Sequence, residues 1–257
     1  MLKKLGKGPA RHAMKYKFTD VFSPANLPAP PAVFGHHAAV QQYHMLGNDQ
    51  WSNCVWAGAA HEQYVWSLEG GQPRTRITTA DVLSDYAACT GFRYTDDTDD
   101  GTDMELAAKY RQETGIRDAI NQRHKIDSYV SLEVGNLDQM FLAIWLLGAA
   151  GVGLQLTQSA EDQSDANGAG KTGVPWTVPP RHRSKGGHYV SGVGRDIDGN
   201  LLVVTWGTIQ AITPDYFSEF NDEGVAYLSL ETLDTKGLSP EGYNAEYLRE
   251  IIGKLKS

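Results

Sequence analysis

Small and apolar residues recur at helical spacing just after position 52, where Cys54, Ala57, Gly58, His61 and Val65 fall on one face. The run Ala57-Gly-Ala-Ala60 carries almost no side-chain volume, so another element packs very close to this helix. Its start is predicted near Ser52 or Asn53, at the end of a polar, turn-forming stretch. Thr78 or Thr79 caps a second helix, over 80–88. Thr102-Asp-Met-Glu105 reads as a capping box for a third, which ends at Gly115. Asn136-Leu-Asp-Gln139 starts a fourth that runs to about Gly148. The pattern then changes. Strands are predicted over 152–157, 189–194, 201–206 and 225–230, the middle two joined by the turn Asp196-Ile-Asp-Gly-Asn200. Gln158 to Gly187, rich in Gly, Pro and polar residues, reads as a long loop, of a length that is usually functional or disordered. The tail over 244–255 is an amphipathic helix with Tyr247, Leu248, Ile251, Ile252 and Leu255 on one side. Helices followed by antiparallel strands give an α+β fold.

The domain expectation follows from that change. Residues 1–40, with Pro24, Pro28, Pro30 and Pro31, form an extended arm lying on the body or on a partner. Residues 41–235 form the main domain, a helical lobe over about 41–150 and a β lobe over about 151–235, and 236–257 hold the terminal helix. The 257 residues suffice for one large domain or two lobes sharing a cleft. A net charge of −8 lacks the basic footprint of a nucleic-acid binder. The longest apolar run, Met140 to Leu156, is too short and too glycine-broken to span a bilayer, so no membrane partner is expected. The basic N-terminus has no apolar core of a secretory signal.

Cys54 carries the candidate chemistry. It opens its helix, where the partial positive charge of the N-terminus favours thiolate over thiol. His188, in Gly186-Gly-His-Tyr-Val190, is a candidate base. His61 lies on the cysteine's own helical face but about 10 Å along the axis, too far to serve as base; it reads as a core or lobe-contact histidine. With Cys54 a nucleophile, Cys89 has no partner and no disulfide is expected, which suits the cytoplasm or a particle assembled there. The aspartates from Asp96 to Asp103 fail the EF-hand pattern, since Gly101 at the sixth position puts Thr98 third and Ala107 twelfth. They read as a solvated acidic loop. No zinc spacing is present, and Gly168-Ala-Gly-Lys-Thr-Gly173 lacks the strand before it that a phosphate loop needs. No cofactor or metal is expected.

The segments, taken in order, resemble those of the papain-like cysteine peptidases. The run before Cys54 is similar to that family's loop into the nucleophile helix. Ile77 to Cys89, Asp99 to Ile116, Leu137 to Leu156, Gly187 to Gly194 and Thr205-Trp-Gly207 resemble the segments that follow it. The resemblance covers roughly residues 45–210, and the wording around Cys54 is also similar to a group of phage and prophage proteins. It implies a papain-like two-lobed fold, with the cysteine on the helical lobe and the histidine on the antiparallel sheet or barrel of the other. It implies Cys54 as nucleophile, His188 as general base and acid, Asn48 as oxyanion donor with Gln50 as substitute, and Trp206 as a shield over the histidine. The family's orienting asparagine falls at Val204, which cannot accept a hydrogen bond. Alternation along a strand puts Val204 and Trp206 on one face and Thr205 on the other, making Thr205 a poor replacement unless the register slips. Val55 also separates Cys54 from Trp56.

Two readings follow. One is a thiol hydrolase that cleaves peptide or amide bonds through Cys54 and His188. The other is a papain-like structural or binding module of little activity, plausibly in a phage virion. The implied partners are a peptide or protein substrate in the first case and neighbouring virion proteins in the second.

Overall fold

The computed structural model describes residues 3–23, 27–167, 173–234, 236–239, 246, 250, 251, 253 and 254. Residues 3–17 run extended along the surface and touch the body by isolated bridges, Lys7 to Thr102 and Lys17 to Ser131. Short α1 (Phe18–Val21) and two-residue β1 (Phe34–Gly35) follow, so the later part of the proline-rich segment joins the body. Phe18 and Phe22 stack on each other and are fully buried.

Asn53 precedes α2 (Cys54–Glu69), which is buried on nearly every side. α3 (Thr79–Thr90) has Thr78 and Asp81 as a reciprocal capping box, and Gly91 ends it in the left-handed region. α4 (Met104–Glu113) is capped by Asp103, whose carboxylate accepts from the Leu106 N–H at 2.9 Å. The cap is therefore one residue later than the sequence pattern indicated. Thr102 is used elsewhere: its hydroxyl accepts from the Trp56 indole at 2.9 Å and its backbone pairs with the N-terminal segment. A small hairpin of β2 (Ile116–Arg117) and β3 (Arg123–His124) leads to β4 (Ser128–Leu132), α5 (Leu137–Leu147) and β5 (Ala150–Thr157). The helical stretch thus gives way before 150, because β4 joins the sheet.

The predicted 158–187 loop is partly helical. α6 (Gln158–Asn167) follows β5 directly, and β6 (Ser184–Arg195) begins well before Tyr189. The run 168–172 lies outside the described residues. β7 (Leu201–Thr205), β8 (Thr208–Ile212), α7 (Pro214–Phe220) and β9 (Asn221–Leu228) complete the fold. Of the predicted C-terminal helix, Glu246, Glu250, Ile251, Gly253 and Lys254 are described; all are helical, and Ile251 is buried.

The strands form one antiparallel sheet in the order β4-β9-β5-β6-β7-β8, with β1 added to β6. One apolar core unites α1, α5 and α7 with one face of the sheet, through residues such as Ile144, Val190, Val203 and Phe217. The other joins α2, α3 and α4 to the opposite face, through Trp56, Tyr86, Tyr189 and Val204. α2 lies against β6 because Gly58 has no side chain: a Cβ there would run into the Tyr189 ring. That close approach fixes the distance between the two halves of the cleft. Among the described residues, no helix is long and apolar enough to cross a membrane.

Candidate active site

Cys54 begins α2 and His188 lies near the start of β6, so the Gly58–Tyr189 contact brings the two together. The Tyr189 N–H, next in chain to His188, donates to Cys54 Sγ at 3.3 Å. A buried network reinforces this pairing one layer down. The Tyr189 hydroxyl meets Glu62 Oε1 at 2.5 Å and the Tyr227 hydroxyl at 3.1 Å, and Glu62 pairs with Arg111 at 2.7 Å. Glu62 lies on the nucleophile helix and Tyr189 on the histidine strand, so the network ties one to the other.

The His188 ring is stacked on Trp206, with centroids 4.6 Å apart and planes at 19°. Its Nε2 meets Thr205 Oγ1 at 2.8 Å. Nδ1 has no hydrogen-bond partner among the described residues, leaving it as the ring nitrogen free for chemistry. Thr205 therefore occupies the orienting position for which alternation made it a poor candidate. The alternation itself holds: Val204 packs into the helix-side core and Val203 into the other. Trp206 is the residue that breaks it. β7 ends at Thr205, and Trp206 and Gly207 (φ +46° and +74°) form a tight turn into β8 that swings the indole onto the His188 side. A bulge between Gly192 and Gly194 also shifts the β6–β7 register.

Asn48 is buried, its Nδ2 donating to Trp51 O at 3.2 Å and to Lys4 O at 3.4 Å. Gln50 lies exposed in the same turn. The acidic loop is less solvated than its composition implied. The Asp99 carboxylate is buried and accepts from Ser52 N at 2.9 Å, from the Ser52 hydroxyl at 3.1 Å and from the Tyr86 hydroxyl at 3.0 Å, which fastens the loop leading into Cys54. His61 is a core histidine, its Nε2 at 2.8 Å from His44 O.

The N-terminal segment runs through this site. Lys4 N donates to Asn48 O at 3.3 Å, Thr102 N to Gly6 O at 2.9 Å, Lys7 N to Gly187 O at 3.1 Å and Gly8 N to Thr102 O at 2.9 Å. The segment thus fills the groove between the cysteine side and the histidine side, bonded by its backbone to both. Glycine permits this approach on both surfaces. A Cβ on Gly6 would strike the Ser52 carbonyl, one on Gly101 the Gly6 carbonyl, and one on Gly187 the Lys7 carbonyl. Lysines secure it: Lys3 pairs with Asp165 at 2.7 Å and covers the Trp206 ring, Lys4 lies 3.4 Å from Asp96, and Lys7 pairs with Glu223 at 2.7 Å. The sequence showed a basic N-terminus, but nothing in its pattern said where that charge would lie.

Burial sets the protonation states of both groups. The Cys54 thiol is pushed up to about 11 by desolvation, against the backbone N–H groups of Tyr189, Gly6 and Val55, which favour thiolate. His188 is pushed down to about 3 by desolvation and by the nearby Lys3 ammonium. The Cys54 thiol and the His188 imidazole are thus both neutral.

No protein-family model matches the sequence, and no curated protein matches it. Solved structures do match. Xylellain, a cysteine protease from Xylella fastidiosa, superposes with a TM-score of 0.67 at 14% identity, over 89% of this chain and 98% of that one. A procathepsin B from Trypanosoma congolense gives 0.60 at 14% identity, over 88% and 86%. A cysteine protease from Carica candamarcensis gives 0.56 at 14% identity, over 77% and 99%. The chain has the papain-like fold, as its segment order implied.

Proposed function

We propose that the protein is a latent thiol hydrolase of peptide or amide bonds, worked by Cys54 and His188 and held shut by residues 3–8. The observation that carries this reading is the paired placement of Cys54 Sγ beside the His188 backbone and of Thr205 Oγ1 on His188 Nε2, under the Trp206 ring. With the segment displaced, water enters and the burial that keeps both groups neutral is relieved. The Cys54 proton then passes to His188 Nδ1, and the thiolate attacks the substrate carbonyl carbon. The Cys54 backbone N–H, without an intrahelical acceptor, and the Asn48 amide, freed from Lys4 O, stabilise the oxyanion. The imidazolium returns its proton to the leaving nitrogen. Water, deprotonated by His188, then attacks the thioester carbonyl, and Cys54 leaves as thiolate.

Gly6→Val tests it, because the new side chain cannot fit against Ser52 O. The variant should cleave a quenched fluorescent protein substrate, and Gly6→Val/Cys54→Ala should not. Cleavage that survives loss of Cys54, or none in Gly6→Val while its N-terminal segment is out of the cleft, counts against the reading. The competing reading, a structural or binding module in a phage virion, draws on the neutral resting pair and on Thr205 in place of an amide.

A further inference from the structure

Lys7 marks a pocket in the cleft wall that the reaction chemistry does not use. Its side chain is almost wholly buried (1% exposed), although a lysine in a surface arm normally keeps its ammonium in water. The stem passes over Gly153, where a Cβ would lie 2.5 Å from Lys7 Cε, and beside the Met104 sulfur. At the far end the ammonium meets Glu223 Oε2 at 2.7 Å, Asp222 Oδ2 at 3.1 Å and Gly8 O at 3.4 Å. The Gln155 amide donates to Asp222 Oδ2 at 2.6 Å and fixes that carboxylate in place. Asp222 Oδ1 is buried with no hydrogen-bond partner among the described residues. The Lys7 backbone bonds to Gly187, next to His188, so the pocket opens one residue from the reacting pair.

Resting on the hydrolase reading, we infer that this pocket selects substrates: the enzyme cleaves peptides that place a lysine or arginine side chain between Met104 and Gly153, against Glu223 and Asp222. When residues 3–8 leave the cleft, two carboxylates in a half-buried pocket lose their cation. Such a pair is costly to leave uncompensated. An incoming ammonium or guanidinium restores the balance, whereas an apolar side chain of the same length covers the carboxylates and leaves them unpaired. Glycine at 153 leaves space for an unbranched stem. The arm therefore occupies the cleft by presenting the side chain that the cleft prefers.

Binding tests this apart from catalysis. Full-length Gly6→Val/Lys7→Ala/Cys54→Ala, in which the arm leaves the cleft and which cannot react, is titrated with fluorescent peptides. These carry lysine, arginine or norleucine in turn at each of the three positions before a reporter amide. At one position the lysine and arginine peptides should bind about tenfold or more tightly than the norleucine peptide. Glu223→Gln with Asp222→Asn should abolish that preference while norleucine binding persists. Equal binding of lysine and norleucine peptides, or no binding of either basic peptide, overturns the inference. In Gly6→Val/Lys7→Ala with Cys54 intact, the same peptides report hydrolysis. Charge-selective binding without cleavage would leave the pocket assignment standing and remove the hydrolase reading.

Discussion

At the scale of single residues, the groups proposed to react were more legible in the sequence than their supports. Cys54 and His188 stood out because a turn ending in cysteine before a small-residue helix, and a Gly-Gly-His before a strand, are local patterns. The place of Thr205 was less legible because it depends on where β7 stops. A φ of +46° at Trp206 ends the strand one residue earlier than its apolar run indicated. Thr205 now positions the imidazole by a single hydrogen bond, worth about 1 kcal/mol net. In a Gly6→Val background, Thr205→Val should slow Cys54 alkylation by roughly five- to tenfold, and Thr205→Ser should restore it. An unchanged rate in Thr205→Val would show that the 2.8 Å contact does not orient His188.

His188 and His61 are buried neutral, pushed from an ordinary 6.5 down to about 3 and about 4. The unfolded chain takes up protons at these sites below 6.5 and the folded one does not. Their contribution to stability is therefore present above pH 6.5 and is lost as pH falls through the window down to 3–4. Each costs up to about 1.4 kcal/mol per pH unit within that window. Urea unfolding across a pH series should show the decline, and His61→Gln should make it shallower. Equal slopes in the two proteins would contradict the assignment of His61 as a neutral core residue.

At the scale of elements, helices with strong caps were legible and short or polar ones were not. α3 declares itself by Thr78 and Asp81, and α5 by Asn136 and Gly148, because these motifs satisfy the helix ends locally. β4, β8 and α7 are five to seven residues long and take their order from the sheet they complete. α6 is polar along most of its length, so no apolar stripe announced it. The small-residue run in α2 is the close-packing surface its low side-chain volume implies, and β6 is what packs there. Gly58→Ala drives a methyl group into the Tyr189 ring and should cost about 1–3 kcal/mol of stability by overpacking. It should also weaken the Tyr189 N–H contact to Cys54, since both depend on the helix-to-strand distance. Calorimetry checks the first effect; no loss of melting temperature would mean that α2 can shift away from β6 freely.

At the scale of the whole molecule, an acidic protein carries a basic N-terminus and folds the one onto the other. The formal charge of −8 did not show that Asp96, Asp99, Asp165, Asp222 and Glu223 gather around one groove. Long-range pairing of this kind has no local signature, and it joins residues more than 90 positions apart. The consequence is a groove in which Cys54 and His188 are both buried beneath the N-terminal segment. The most direct test follows the rate of Cys54 alkylation by iodoacetamide, mapped by mass spectrometry so that Cys89 is counted separately. At neutral pH the wild-type thiol, pushed up to about 11, should react slowly. Gly6→Val should react many times faster, and adding His188→Ala should remove most of the gain. Equal Cys54 rates in the wild type and Gly6→Val, or a gain that does not depend on His188, would contradict a latent thiol–imidazole pair.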